Sequence, residues 1–139
     1  MSYTFSIIKP DSVRDGFSDQ IIARINNNKF KVIGIKLITL NKTTAEEFYS
    51  VHKTKDFYDN LISFMTSGHC IVMALEKTNA VENFRQLIGD TDPANAELGT
   101  IRSLFGKSIE NNAIHGADSD QNAKKEILFF FPELANLFK

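Results

Sequence analysis

The residues Cys70-Ile71-Val72-Met73-Ala74-Leu75 form an unbroken apolar run. Six such residues are too few to cross a bilayer, which takes roughly 20, and too uniform for a strand with one wet face. A run of this kind is the mark of a strand covered on both sides. The rest of the chain must therefore supply two layers of cover. With 139 residues there is enough chain to do so within one domain spanning 1–139.

The neighbouring segments supply those layers. Tyr3 to Ile8 alternates aromatic and aliphatic residues with small polar ones and reads as a strand, ended by Lys9-Pro10-Asp11. Ser18 is placed to cap a helix with Ile21, Ile22 and Ile25 on its inner face, closed by Asn26 to Asn28. Phe30 to Leu40 reads as a second strand, with Ile33, Ile35 and Leu37 on one face. Thr44 and Glu47 form a capping-box pattern opening a helix that carries Phe48 and Val51. A further helix is expected over Phe57 to Met65. Asn79 is placed to cap another, with Val81, Phe84 and Ile88 inward and Gly89 at its end. Ala113-Ile114-His115 suits a short strand, and Asp120 a cap for a last helix with Ala123, Ile127 and Phe130.

This order of strands and helices predicts an α/β (α+β) sandwich of the ferredoxin-like kind, a four-stranded antiparallel sheet covered by helices. Between Asp90 and Asn112 the periodicity fails, apart from a turn of helix near Thr100 to Leu104. So long a loop inside a small domain is usually functional.

The formal net charge is −1, which offers no global field for nucleic acid. The single cysteine, Cys70, excludes an intramolecular disulfide and any cysteine-built metal cluster. The N-terminal residues show neither a basic region nor a long apolar stretch, so no secretory signal is expected, no membrane contact, and a cytoplasmic location. Gly106-Lys107-Ser108 resembles the end of a phosphate-binding P-loop, but the glycine required five positions earlier is Ile101. His52 and His69 are read as ordinary surface residues, and Lys107, Lys124 and Lys125 as solvated charges.

The chemistry concentrates in Asn111-Asn112-Ala113-Ile114-His115-Gly116-Ala117-Asp118-Ser119, with Glu126 in the helix that follows. Neutral imidazole is a good nucleophile near neutral pH, and a carboxylate on its second nitrogen fixes the tautomer. Lys9, Arg85 and Arg102 are cations suited to phosphate, with Thr91 and Asn112 as neutral donors.

Taken together, Ile7-Ile8-Lys9-Pro10-Asp11, Gly34-Ile35-Lys36, Met65-Thr66-Ser67-Gly68, Ile88-Gly89-Asp90-Thr91-Asp92-Pro93-Ala94, Gly99-Thr100-Ile101-Arg102 and Ile114-His115-Gly116-Ala117-Asp118-Ser119 resemble the nucleoside diphosphate kinase family, in order and nearly end to end. The resemblance implies a γ-phosphate transfer from nucleoside triphosphate to diphosphate by a ping-pong route through a phosphohistidine. His115 matches the nucleophile, through Nδ1, and Glu126 the residue that orients it through Nε2. Lys9, Arg85, Thr91 and Arg102 match phosphate-binding positions, and Asn112 with Lys9 the contacts to the sugar 3′-hydroxyl. Phe57 matches the aromatic that stacks on the base, with Ile109 against the other face. Tyr49 matches a tyrosine beside the histidine, and Ser119 a support for the glutamate. Mg²⁺ is implied as part of the nucleotide, touched by Asp118 through water at most, with no protein metal ligand. The short C-terminus is similar to bacterial-type members, and the family implies a homo-oligomer, tetramer or hexamer. Stacking that ignores base identity predicts low base specificity.

Ser12, Asp15, His69 and Glu110 depart from the family pattern, Glu110 placing a carboxylate near the nucleotide entrance. Two other readings compete. One is a catalytically silent nucleotide-binding regulatory module of the same fold, which would be expected to lack one of Lys9, Arg102, His115 or Glu126. The other is single-stranded nucleic-acid binding, which has only Phe57 and scattered basic residues in its favour.

Overall fold

The computed structural model describes residues 1–139. Strand β1 (Ser2–Ile8) leads into α1 (Pro10–Arg14) and α2 (Ser18–Asn27), then β2 (Lys31–Thr39), α3 (Lys42–Phe48), a 3₁₀ turn (Ser50–His52) and α4 (Tyr58–Met65). Strand β3 (His69–Lys77) is followed by α5 (Ala80–Ile88), a 3₁₀ turn (Pro93–Asn95) and α6 (Ile101–Phe105). The chain closes with β4 (Ile114–Gly116), α7 (Asp120–Phe130) and a 3₁₀ stretch over Pro132–Phe138. The four strands form one sheet in the order β2-β3-β1-β4, and every pairing is antiparallel. This is the ferredoxin-like arrangement predicted. No helix is long and apolar enough to cross a membrane.

The apolar run is buried along its length from Val72 to Leu75, as a central strand demands. Phe5, Ile7, Val72 and Ala74 face a cluster completed by Tyr49, Tyr58, Ile62, Met65, Ile127 and Phe131. Ile8, Met73 and Leu75 face a second cluster with Ile21, Ile25, Phe84, Ile88, Ile101 and Ile114. The two clusters are the two layers of cover. Cys70 is a free, buried thiol, and burial raises its pKa to about 11.

Several local expectations are corrected. Pro10 does not merely end β1. It opens α1 at the first helical position, where a missing N–H costs nothing. Phe17, not Ser18, precedes α2, and no side chain caps it. Asn41 caps α3, its Oδ1 accepting from Thr44 N–H at 2.8 Å, so the Thr44–Glu47 pattern falls one turn inside the helix. Val51 is 79% exposed on the 3₁₀ turn that follows. Asn79 adopts φ +50° before α5 without capping it; Ser2 Oγ accepts from Ala80 N–H instead. Ser119, not Asp120, caps α7, accepting from Asn122 N–H at 3.0 Å.

Strand β2 carries a bulge between Val32 and Gly34. An extra residue reverses the alternation beyond it. Ile33 packs against the first cluster with Ile38, whereas Ile35 and Leu37 turn outward, 50% and 63% exposed. The face expected to hold all three is therefore split. Gly34 is the residue this packing needs. A Cβ there would stand 2.9 Å from the Phe131 ring, which lies against the strand.

Candidate functional site

A cleft of about 1630 Å³ opens along one end of the sheet, roomy for a nucleotide-sized ligand. Lys9, at the end of β1, lines it, as do Tyr49, Phe57, Arg85, Thr91, Arg102, Ile109, Asn112, His115, Asp118 and Ser119. These residues come from every part of the chain. The antiparallel pairing of β4 with β1 brings them together, setting Ile7 opposite His115 and Ile8 opposite Ile114.

His115 is held from behind. Its Nε2 stands 2.7 Å from Glu126 Oε1, with both side chains about one-fifth exposed. The rings of Phe5 and Phe48 flank the imidazole, with centroids 6.0 and 5.9 Å away. Glu126 projects from α7, whose start is fixed by the Ser119 cap. Ser119 thus acts on Glu126 by setting the helix, and its hydroxyl makes no direct bond to the carboxylate. Nδ1 of His115 makes no hydrogen bond within the protein and keeps accessible surface. One nitrogen is tethered and the other is free to react.

Lys9 is nearly buried, and its Nζ donates to Asn112 Oδ1 at 2.8 Å. Asn112 Nδ2 in turn donates to the Thr91 carbonyl at 3.1 Å. Burial of the ammonium lowers the Lys9 pKa to about 8; Arg102 pushes the same way, and Asp11 opposes. Arg102 is equally enclosed. It donates through Nη1 to Gly89 O at 2.9 Å and through Nη2 to Ile114 O at 2.8 Å. Its Nε has no partner. Desolvation lowers its pKa to about 10, against the pull of Asp90. Buried cations left short of partners are costly, and an anionic ligand would complete them.

Arg85 is exposed and donates to the Asp118 carbonyl at 3.2 Å. The Asp118 carboxylate is held below its usual pKa chiefly by the Asn122 amide, which donates to it at 2.6 Å. Phe57 is 44% exposed at the opening, and Ile109 is 59% exposed there too. Tyr49 is buried with its hydroxyl unpartnered, and burial raises its pKa above the ordinary tyrosine range.

The long loop owes its path to two tight places. Gly89 has φ +87°, and a Cβ there would meet Thr100 Oγ1 at 2.5 Å. Ala113 has φ +77°, a left-handed turn that an alanine adopts only under constraint. Ala113 was expected in the strand; it stands one residue before β4, and its conformation turns the chain into the strand.

Sequence reasoning missed two residues. His52 lines the cleft, with its ring 5.4 Å from Phe57 and 6.5 Å from Tyr49, and its Nδ1 buried without a partner. Its spacing from these aromatics was the available signal. Asp11 is 2% exposed, and its Oδ2 accepts from Ala113 N–H at 3.2 Å. Lys107 is a surface charge as expected, 58% exposed, and pairs with Asp15. Asp15, one of the departures, thus ties α1 to the loop, while Glu110, another, lines the cleft without a partner. No three His, Cys, Asp or Glu side chains are grouped as metal ligands would be.

The sequence pattern of the family described as "Nucleoside diphosphate kinase" matches residues 2–135. A nucleoside diphosphate kinase of Salinibacter ruber is 48% identical over 130 residues, 94% of this chain and 92% of that one. One of Chloroherpeton thalassium is 50% identical over 131 residues, with coverage of 94% and 93%. Among solved structures, the nucleoside diphosphate kinase of Aquifex aeolicus superposes with a TM-score of 0.92 at 34% identity, covering 94% of both chains. A halophilic one from Halobacterium salinarum, in complex with CDP, gives 0.91 at 37% identity, covering 94% of this chain and 87% of that one.

Proposed function

The chain belongs to the nucleoside diphosphate kinase family and is a phosphotransferase, and from that premise we propose that it works in two half-reactions through a phosphohistidine on His115. In the first, the Nδ1 lone pair attacks the γ-phosphorus of a nucleoside triphosphate. The bond from phosphorus to the β–γ bridging oxygen breaks, and the diphosphate leaves with that oxygen. In the second, a β-phosphate oxygen of a different nucleoside diphosphate attacks the same phosphorus. The P–N bond breaks and its electron pair returns to Nδ1. No net proton is gained or lost, because Nε2–H stays with Glu126 throughout.

The observation that carries this reading is the divided imidazole, with Glu126 at 2.7 Å on Nε2 and Nδ1 without a protein partner. Glu126 stabilises the positive charge that the ring gains on bonding phosphorus. Lys9, Arg102 and Arg85 neutralise the phosphate oxygens in a loose transition state, where positioning and charge do most of the work. Thr91 adds a phosphate contact. Lys9 and Asn112 also meet the sugar 3′-hydroxyl, Phe57 and Ile109 hold the base, and Tyr49 backs the histidine.

The substrate is the magnesium nucleotide, the ion arriving on the phosphates. The donor set fits this, since Asp118 stands alone with one oxygen already engaged by Asn122 and so reaches the ion through water at most. Residues 1–139 act as one domain in a cytoplasmic homo-oligomer, tetramer or hexamer. The outward Ile35 and Leu37 on edge strand β2 favour self-association.

The deciding experiment mixes the protein with γ-labelled ATP and magnesium, without an acceptor. We expect a base-stable, acid-labile label on His115 that any nucleoside diphosphate removes. His115→Gln should bind nucleotide and take no label; turnover by that variant would overturn the assignment. Absence of label on the parent would mark a silent nucleotide-binding module.

A further inference from the structure

Asp11 belongs to none of the roles above, yet it is 2% exposed and bonds the turn that leads into β4. A buried carboxylate is costly unless charge or hydrogen bonds compensate it. An acidic residue in the first turn of a helix ordinarily answers the helix dipole. Helix α1 has only five residues, and the Asp11 side chain instead bonds Ala113, 102 residues further along the chain.

Three contacts converge there. Lys9 N–H donates to the Ala113 carbonyl at 2.8 Å, and Asp11 Oδ2 accepts from the Ala113 N–H at 3.2 Å. The peptide groups on both sides of Ala113 are thus held by the Lys9-Pro10-Asp11 turn while Ala113 keeps φ +77°. The residue before it, Asn112, then receives the Lys9 ammonium. The second Asp11 oxygen has no hydrogen-bond partner and is buried.

We propose that Asp11 is a positioning residue for phosphoryl transfer, holding Ala113 in the turn that delivers Asn112 to Lys9 and setting a negative charge beside the Lys9 ammonium. This deepens the functional reading above and rests on it. The charged groups acting on Lys9 are Arg102, from α6, and Asp11, from α1; Asn112 contributes a neutral carbonyl. Arg102 and burial both favour loss of the lysine proton, and Asp11 is the group that opposes it.

Two substitutions separate the two parts. Asp11→Asn keeps an oxygen for Ala113 and removes the charge. It should move the alkaline limb of the kcat/KM profile to lower pH. Asp11→Ala removes both and should lower kcat/KM at pH 7 by more than about tenfold. Adding Ala113→Gly to Asp11→Ala relieves the left-handed strain. It should recover part of that loss without returning the limb to its parental position. If Asp11→Ala does not fold alone, the double variant carries both readings; if neither folds, the Asp11→Asn profile decides. An unmoved limb in Asp11→Asn, or an Asp11→Ala rate within twofold of the parent, overturns the proposal. An inactive parent would instead overturn the functional reading on which it stands.

Discussion

Glu126 Oε1 sits 2.7 Å from His115 Nε2, and this contact gives the two ring nitrogens different roles. Glu126→Gln preserves a group of the same shape but removes the negative charge that, in the proposed mechanism, balances the ring once it bonds phosphorus. We expect the rate of enzyme phosphorylation to fall about tenfold or more, some 1.4 kcal/mol. Nucleotide affinity should hardly change. Single-turnover labelling measures the first and equilibrium binding the second; equal rates in parent and variant would mean that the carboxylate only fills space.

Lys9 gives activity and stability opposite responses to alkali. The folded protein releases this proton near pH 8, while an unperturbed lysine holds it to 10.5. Between those values the unfolded state binds more protons, so the contribution of this group to stability rises with pH. Below pH 8 the cost of enclosing the ammonium is present in full. Activity should run the other way, with kcat/KM falling as pH passes about 8 because the phosphate loses a cation. Lys9→Met should remove the rise in stability over that window, read from urea unfolding at a series of pH values.

Arg102 is a structural tie and, in the proposed function, a phosphate ligand. Arg102→Ala leaves the Gly89 and Ile114 carbonyls without their donor. The expected loss of stability is about 1–3 kcal/mol. The expected loss of transition-state stabilisation is about 2 kcal/mol or more. Arg102→Lys should recover only part of either, since an ammonium does not reproduce the guanidinium fork. Thermal unfolding and kcat/KM together test this; a stable variant with an unchanged rate contradicts both roles.

In the proposed function Phe57 stacks on the base and does not read its edge. Phe57→Ala should lower kcat/KM for purine and pyrimidine nucleotides alike, by about 1–3 kcal/mol. The order of preference among bases should survive. If the four nucleotides instead change order, the ring reads base identity and the stacking account fails.

The sheet, its two apolar layers and the His115–Glu126 pair were legible because each follows a short-range rule. The run from Cys70 to Leu75 demanded cover on both faces, and the glutamate lies on the helix just after the histidine turn. What escaped the sequence depended on contacts between distant residues. The bulge at Ile33 could be seen only in the register against β3, so the outward Ile35 and Leu37 were misplaced. Pro10 read as a terminator because both ends of a strand and starts of a helix accept it. Asn41 and Ser119 won the caps because the backbone bends just after them, not where Thr44 and Asp120 suggested. Asp11 passed as part of the turn that ends β1, since nothing near it in sequence announces Ala113, and His52 passed as a surface residue although Tyr49 and Phe57 lie close to it in the chain.

The loop between α5 and β4 is stitched down at its ends, by Arg102 on the Gly89 and Ile114 carbonyls and by Asn112 on that of Thr91. Arg102, Gly89, Thr91 and Asn112 all belong to the loop itself, so these bonds hold its two ends to one another, and breaking them would strand partly buried acceptors at several kcal/mol. In the proposed reaction, spent diphosphate and incoming acceptor exchange through the opening where Phe57 and Ile109 stand exposed beside this self-braced loop.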